Sequence, residues 1–365
     1  MLVAGVSAYG SAFAAPAEST INIQGHVFSY LENHPLAVAN PDIEQAIIII
    51  HGSDRNADVY YRTGEIVAEQ LKQAKSTMVI APHFKEKGDP IVPNELVFTS
   101  EGWLRGDLSK DRAMSSFSVI DEFINRLSDA SLFPKLKTII ITGHSAGGQL
   151  TQRYALGSPL QPQNIAIRYV VTNPGSYAYL TSERPVKGSP GVFTIPHTSC
   201  SNYDDYKYGL QHLNEYLSQT STTAEIVNRY LNRDVTYLIG EADVITDELD
   251  NDCPAQLQGV TRFERGKNFK AELDHAFPSN QHKIATVPGV GHSERLMYTS
   301  PVGLKVLFPT AVIPVAHLNV LRADATKLSP APESTNRKLP NLDRPSVAKT
   351  HRSFLSPFFH PLFQP

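Results

Sequence analysis

From about residue 45 to residue 308, short apolar runs alternate with amphipathic stretches. Ala46-Ile47-Ile48-Ile49-Ile50 is an unbroken, mostly β-branched run that stops at His51-Gly52, which predicts a strand buried on both faces. Asn56 to Lys75 has helical spacing, and Thr77 to Ala81 predicts a second strand closed by Pro82. Between Ala113 and Leu127, Phe117, Ile120, Phe123, Ile124 and Leu127 recur at three and four residues and define one face of a helix. Thr138 to Thr142 predicts a third parallel strand, and Gly147 to Leu156 is helical again. Further strands are expected at Arg168–Thr172, Val192–Ile195, Val235–Ile239 and Ile284–Val287. Strand–helix alternation of this kind implies an α/β domain, a mostly parallel sheet flanked by helices, over about residues 20–308.

Three segments depart from that alternation. Residues 202–233 are helical and rich in tyrosine, and they fall between expected sheet strands. They form either a small helical cap over a site, about 200–233, or an ordinary crossover helix pair. Met1 to Ala14 is apolar, lacks charged side chains and ends in Ala12-Phe13-Ala14, the small-residue pattern of a signal-peptide cleavage site, although no Lys or Arg precedes the apolar stretch. This predicts a secreted or otherwise exported protein. The extension at 309–365 begins apolar and uncharged; from 322 onward it is proline-rich, mildly basic and aperiodic, which predicts disorder. No run reaches the roughly 20 apolar residues of a membrane-spanning helix.

Composition narrows the function classes. Of 365 residues, 41% are hydrophobic and 19% charged, which fits a folded domain, and a net charge of −3 gives no field directed at nucleic acid or anionic membranes.

The strongest chemical signal is Gly143-His144-Ser145-Ala146-Gly147, a G-x-S-x-G pattern between an expected strand and an expected helix. A tight strand-to-helix turn of this type projects a serine from the sheet edge, with glycines where neighbouring backbone passes. A serine hydroxyl needs a base to accept its proton, and the base needs a partner to fix its tautomer. His292 follows the Ile284–Val287 strand within Gly289-Val290-Gly291-His292 and is the candidate base. Asp243 follows Val235–Ile239 and Gly240 and is the candidate acid, with Asp247 next and Asp250 and Asp252 on the same loop. Oxyanion stabilisation calls for backbone N–H groups, assigned to Ala146 and Ser53, with Gly52 allowing close approach. His51 and His144 are expected to pack structurally. Trp103 either lines the pocket or fills the core.

Gly143 to Gly148, Asp243, His292 and the His51-Gly52 turn together resemble the α/β-hydrolase superfamily over roughly residues 25–308. The strings Asn202 to Leu210 and Cys253 to Gly259 resemble a poorly characterised branch of exported hydrolase-like proteins. That resemblance implies the α/β-hydrolase fold and Ser–Asp–His chemistry without a metal or organic cofactor, and no defined substrate. The His-Gly-Gly-Gly turn common among lipases and esterases is absent, so activity on bulky tertiary-alcohol esters is not implied.

The two cysteines, Cys200 and Cys253, are expected on loops at one sheet edge, where a disulfide would clamp the acid loop; two buried free thiols are the alternative. The leading expectation is a serine hydrolase acting on a small-molecule ester or related acyl compound. An amidase or peptidase with the same triad, or a non-catalytic binding protein retaining the fold, are the other readings.

Overall fold

The computed structural model describes residues 16–311; the expected leader and the tail beyond 322 lie outside the described residues. Strands β1 (Ser19–Ile23), β2 (His26–Glu32), β3 (Gln45–Ile50), β4 (Thr77–Pro82), β5 (Thr138–His144) and β6 (Ala166–Thr172) precede the short pair β7 (Arg184–Pro185) and β8 (Phe193–Thr194), followed by β9 (Asp234–Gly240) and β10 (Lys283–Val287). The main sheet has eight strands in the order β1-β2-β4-β3-β5-β6-β9-β10. β1–β2 and β2–β4 pair antiparallel, and the remaining pairs are parallel.

The β-branched runs form strands because both faces of the sheet are covered. Ala46, Ile48 and Ile50 point into one core, while Ile47 and Ile49 point into another. The first core is closed by α2 (Ser116–Leu127), α3 (Ala146–Gly157), α4 (Glu215–Thr220), α5 (Thr223–Leu231) and α7 (Arg262–Ala276), through residues such as Phe123, Leu150, Leu217, Tyr230 and Phe269. The second is closed by α1 (Ala57–Gln70), α8 (Glu294–Thr299) and α9 (Pro301–Leu307). The short α6 (Cys253–Gln256) follows the β9 loop. Helix starts coincide with capping side chains: Ser115 accepts from the Phe117 amide, and Thr222 and Glu225 close a reciprocal capping box on α5.

One sequence expectation is corrected. The apolar run Val192–Ile195 does not join the main sheet; Phe193 and Thr194 pair antiparallel with Arg184–Pro185 in a separate two-stranded ribbon. Val192 and Ile195 are exposed, so the run lacks the second packed layer that a central parallel strand requires. The structure also adds β1 and β2, an antiparallel pair at one sheet edge that the sequence reading did not anticipate.

Cys200 and Cys253 are joined by a disulfide, with their Cα atoms 6.0 Å apart. Among the described residues, no helix is long and apolar enough to cross a membrane. The bridge closes a loop across a sequence separation of 53 residues, for which chain entropy alone corresponds to about 4 kcal/mol. Cys253→Ser is therefore expected to lower the urea midpoint of unfolding relative to the oxidised wild type. An unchanged midpoint, together with two free thiols by intact mass, would show that the bridge does not form.

Candidate active site

The elbow between β5 and α3 has one linking residue. Ser145 has φ 59° and ψ −119°, a backbone conformation that L-residues rarely adopt and that costs on the order of 1–3 kcal/mol. Its amide donates to the Thr172 carbonyl at 3.1 Å, and its carbonyl accepts the Gln149 amide at 3.1 Å. The glycines around it are sterically required. A Cβ on Gly143 would lie 2.4 Å from the Gly147 backbone, and one on Gly147 would lie 2.3 Å from the Ile50 carbonyl oxygen.

Two loops at the same edge of the sheet bring an acid to a histidine. Beyond β9 and β10, the Glu241 amide donates to Val287 O and the Ala242 amide to Val290 O. A Cβ on Gly240 would meet Val290 O at 2.5 Å, so these loops touch backbone to backbone. His292 Nδ1 lies 2.7 Å from Asp243 Oδ2; Asp243 is buried and the His292 side chain is a quarter exposed. The other carboxylates of this loop are engaged elsewhere or exposed. Asp250 and Asp252 take the Tyr208 hydroxyl, and Asp247 is exposed. The His292 ring packs 4.3 Å, centroid to centroid, from the ring of His144, the residue before Ser145.

Polar groups that the sequence reading passed over pin these loops. Asn173, directly after β6, accepts the Gly240 amide on Oδ1 at 2.8 Å, and its Nδ2 donates to Gly291 O and to His144 Nε2, each at 3.4 Å. One side chain thus spans the ends of β5, β6 and β9 and the histidine loop. A lone polar residue at the carboxyl end of a parallel strand was the available signal. Arg262, at the start of α7, donates to the carbonyls of Asp247 and Glu248 and stands 3.9 Å from Asp243 Oδ1. Burial lowers the pKa of this guanidinium, and the neighbouring Asp243 opposes the shift.

The His51-Gly52-Ser53 turn after β3 lies against the elbow, with the Cβ position of Gly52 3.7 Å from Ser145 Cβ. His51 Nδ1 bonds to Gly52 O at 2.8 Å, and its Nε2 accepts the Phe84 amide at 3.0 Å, which fixes a neutral tautomer with the proton on Nδ1. Trp103 is buried, stacked on Phe84 and tilted against His51, so it braces this turn from inside the core. Among the described residues, neither the Ser53 nor the Ala146 amide donates to a protein acceptor. Both residues and Ser145 line a cleft of about 400 Å³. Its lining mixes apolar Leu104 and Leu249 with polar and charged residues that include Gln149, Lys207, Arg262, Glu101 and Asp250.

No family model matches the chain, and no curated protein sequence is similar to it. Solved structures are similar in shape. LpqC, a poly(3-hydroxybutyrate) depolymerase from Bordetella parapertussis, superposes with a TM-score of 0.59 at 19% identity, over 84% of this chain and 95% of that one. Poly(aspartic acid) hydrolase-1 from Sphingomonas sp. KT-1 gives a TM-score of 0.56 at 23% identity, over 78% and 96%. The chain has the α/β-hydrolase fold.

In this α/β-hydrolase fold the histidines packed around the sheet are held neutral. Burial pushes His51 down to about 3 and His282 down to about 4, and His144 is lowered by burial, by His292 and by Arg262. Below the ordinary histidine value of about 6.5, the unfolded chain binds protons that the folded chain refuses. Stability is therefore fully present above that value and falls as pH drops toward the folded pKa values, by up to about 1.4 kcal/mol per histidine and pH unit. The urea midpoint is expected to fall between pH 7.5 and pH 5, with the His51 and His282 ring signals in NMR unshifted across that range. Titration of either ring near pH 6.5 would contradict the assignment.

Proposed function

We propose that the protein is a serine hydrolase that cleaves a carboxylic ester or related acyl bond through an acyl-enzyme. Ser145 Oγ attacks the carbonyl carbon while His292 Nε2 takes its proton. Asp243, bonded to the opposite ring nitrogen, holds the imidazole in that tautomer and stabilises the imidazolium that forms. The amides of Ala146 and Ser53 receive the negative charge that develops on the carbonyl oxygen. Ala146 is the first residue of α3, so its N–H has no partner in the preceding turn and sits at the positive end of the helix. His292 then returns its proton to the leaving alcohol. Water, deprotonated by the same imidazole, attacks the acyl carbon; the bond to Ser145 Oγ breaks, the imidazolium returns its proton to that oxygen, and the acid leaves.

The observation that carries this reading is the pairing of a strained Ser145 elbow with the 2.7 Å His292–Asp243 contact at one edge of the sheet. Neutral His144 supports it as well. A second cation 4.3 Å from His292 would oppose formation of the imidazolium, and burial keeps His144 uncharged. We further propose that the protein works in an oxidising, exported setting, the compartment in which a bridge such as Cys200–Cys253 persists.

Intact mass after treatment with a fluorophosphonate tests the assignment. A single adduct on the wild type, absent from Ser145→Ala, with turnover of short p-nitrophenyl esters, is the expected result. Asp243→Asn is expected to lower kcat by about 10⁴-fold while leaving the fold intact. A well-folded wild type that takes no adduct would overturn the enzymatic reading in favour of a binding protein.

A further inference from the structure

One turn after Ser145 on α3, Gln149 is only 8% exposed yet forms part of the cleft wall. Its orientation is dictated by chemistry. The Arg153 guanidinium, fully buried and able only to donate, gives Nη2–H to Gln149 Oε1 at 3.0 Å. Arg153 is itself held by the carbonyls of Leu104 and Lys207, and its Nη2 lies 3.1 Å from the Ser176 hydroxyl. With the oxygen fixed inward, the Gln149 Nε2 amide points to the cleft, and among the described residues it has no protein acceptor. A nearly buried, rigidly aimed donor beside a nucleophile is an unfilled hydrogen-bonding position.

The residue beside it on the cleft wall is a glycine, Gly175. A Cβ there would lie 3.2 Å from Gln149 Nε2, tight for carbon but a hydrogen-bonding distance for an oxygen, so the bare glycine keeps the approach to this donor open. The Asp250 carboxylate on the same wall is already committed to the Ser176 and Tyr208 hydroxyls and the Asp252 amide, with Lys207 Nζ 3.5 Å away. An oxygen acceptor on the substrate, a hydroxyl or an ether, is the group that pairs with the Gln149 donor. Residues i and i+4 of a helix stand about 5–6 Å apart, which puts this donor within a few bonds of a carbonyl attacked by Ser145.

Resting on the serine-hydrolase reading, we propose that Gln149 Nε2 forms a donor subsite that selects esters bearing a hydroxyl or ether oxygen over their alkyl counterparts. A site built to hydrogen-bond a hydroxyl rejects the analogue without it, because its own buried polar groups then go unpaired.

The test compares kcat/KM within isosteric pairs. The acyl-side pair is p-nitrophenyl 3-hydroxybutanoate against p-nitrophenyl 3-methylbutanoate; the alcohol-side pair is 2-hydroxypropyl acetate against 2-methylpropyl acetate. Wild type is expected to prefer the hydroxyl member of at least one pair by about tenfold, the worth of one hydrogen bond. Gln149→Met, similar in length but without a donor, is expected to reduce that ratio to about twofold or less. Gln149→Glu keeps an oxygen on Arg153 and has no proton to give at neutral pH. It is expected to lose any preference for p-nitrophenyl 3-methoxybutanoate over 3-methylpentanoate, and it serves as the second variant should the first fail to fold. Fluorophosphonate labelling of Ser145 is measured in parallel. Labelled enzymes with wild-type ratios in the variants, or no hydroxyl preference in either wild-type pair, would overturn the subsite alone. An unlabelled wild type would overturn the hydrolase reading and the subsite with it.

Discussion

At the turn between β5 and α3, backbone from β3, β5 and α3 competes for nearly the same space. The carbonyl oxygens of Ile50 and His51 stand within 2.5 Å of where a Cβ on residue 147 would be, and the Gly147 backbone is equally close to residue 143. Only hydrogen atoms fit between these segments, and Ser145 is lifted into its positive-φ conformation because the chain must reverse in one residue. The parallel register supplies the counterforce. β6 pairs with β5 from Thr138 to His144 and β3 from Thr138 to Gly143, so the strain is borne by a ladder that cannot slip without exposing both cores.

From that fixed point the site is assembled by short polar tethers. His51, neutral and bonded on both ring nitrogens, holds the turn after β3. Asn173 holds the ends of β5 and β9 to the histidine loop, and Arg262 gathers the acid loop by its carbonyls. These groups are buried, so each lost bond would leave an unsatisfied partner worth about 1–3 kcal/mol, which favours a single arrangement over a family of loop conformations. Rigidity here comes from pairing polar groups inside the protein.

The central strands were legible in the sequence because burial on both faces demands continuous β-branched runs, and Ala46–Ile50 is such a run. The elbow was legible because its steric requirement appears directly as Gly143 and Gly147. Asp243 could be ranked above Asp247, Asp250 and Asp252 only by distance from the end of β9, and its contact with His292 depends on β9 and β10 being neighbours in the sheet. β1 and β2 escaped notice because their polar residues interrupt the apolar pattern that marks a doubly covered strand. Val192–Ile195 misled because its local pattern is that of a strand, whereas strand position is decided by what packs above and below. Gln149 carries no local signature, and Asn173 only that of a polar residue at the carboxyl end of a strand, since their roles arise from partners twenty-seven and sixty-seven residues away.

The Cys200–Cys253 bond changes the connectivity of the chain from a line to a ring with two arms. Ser145 lies on the amino-terminal arm, Asp243 on the ring and His292 on the carboxyl-terminal arm. A backbone cut anywhere inside the ring would leave the molecule in one covalent piece. A cut in either arm would leave its outer part attached only by sheet pairing and packing. The acid is thus carried by the one part of the protein that a single hydrolytic event cannot detach, while the serine and the histidine depend on the sheet to hold them to it.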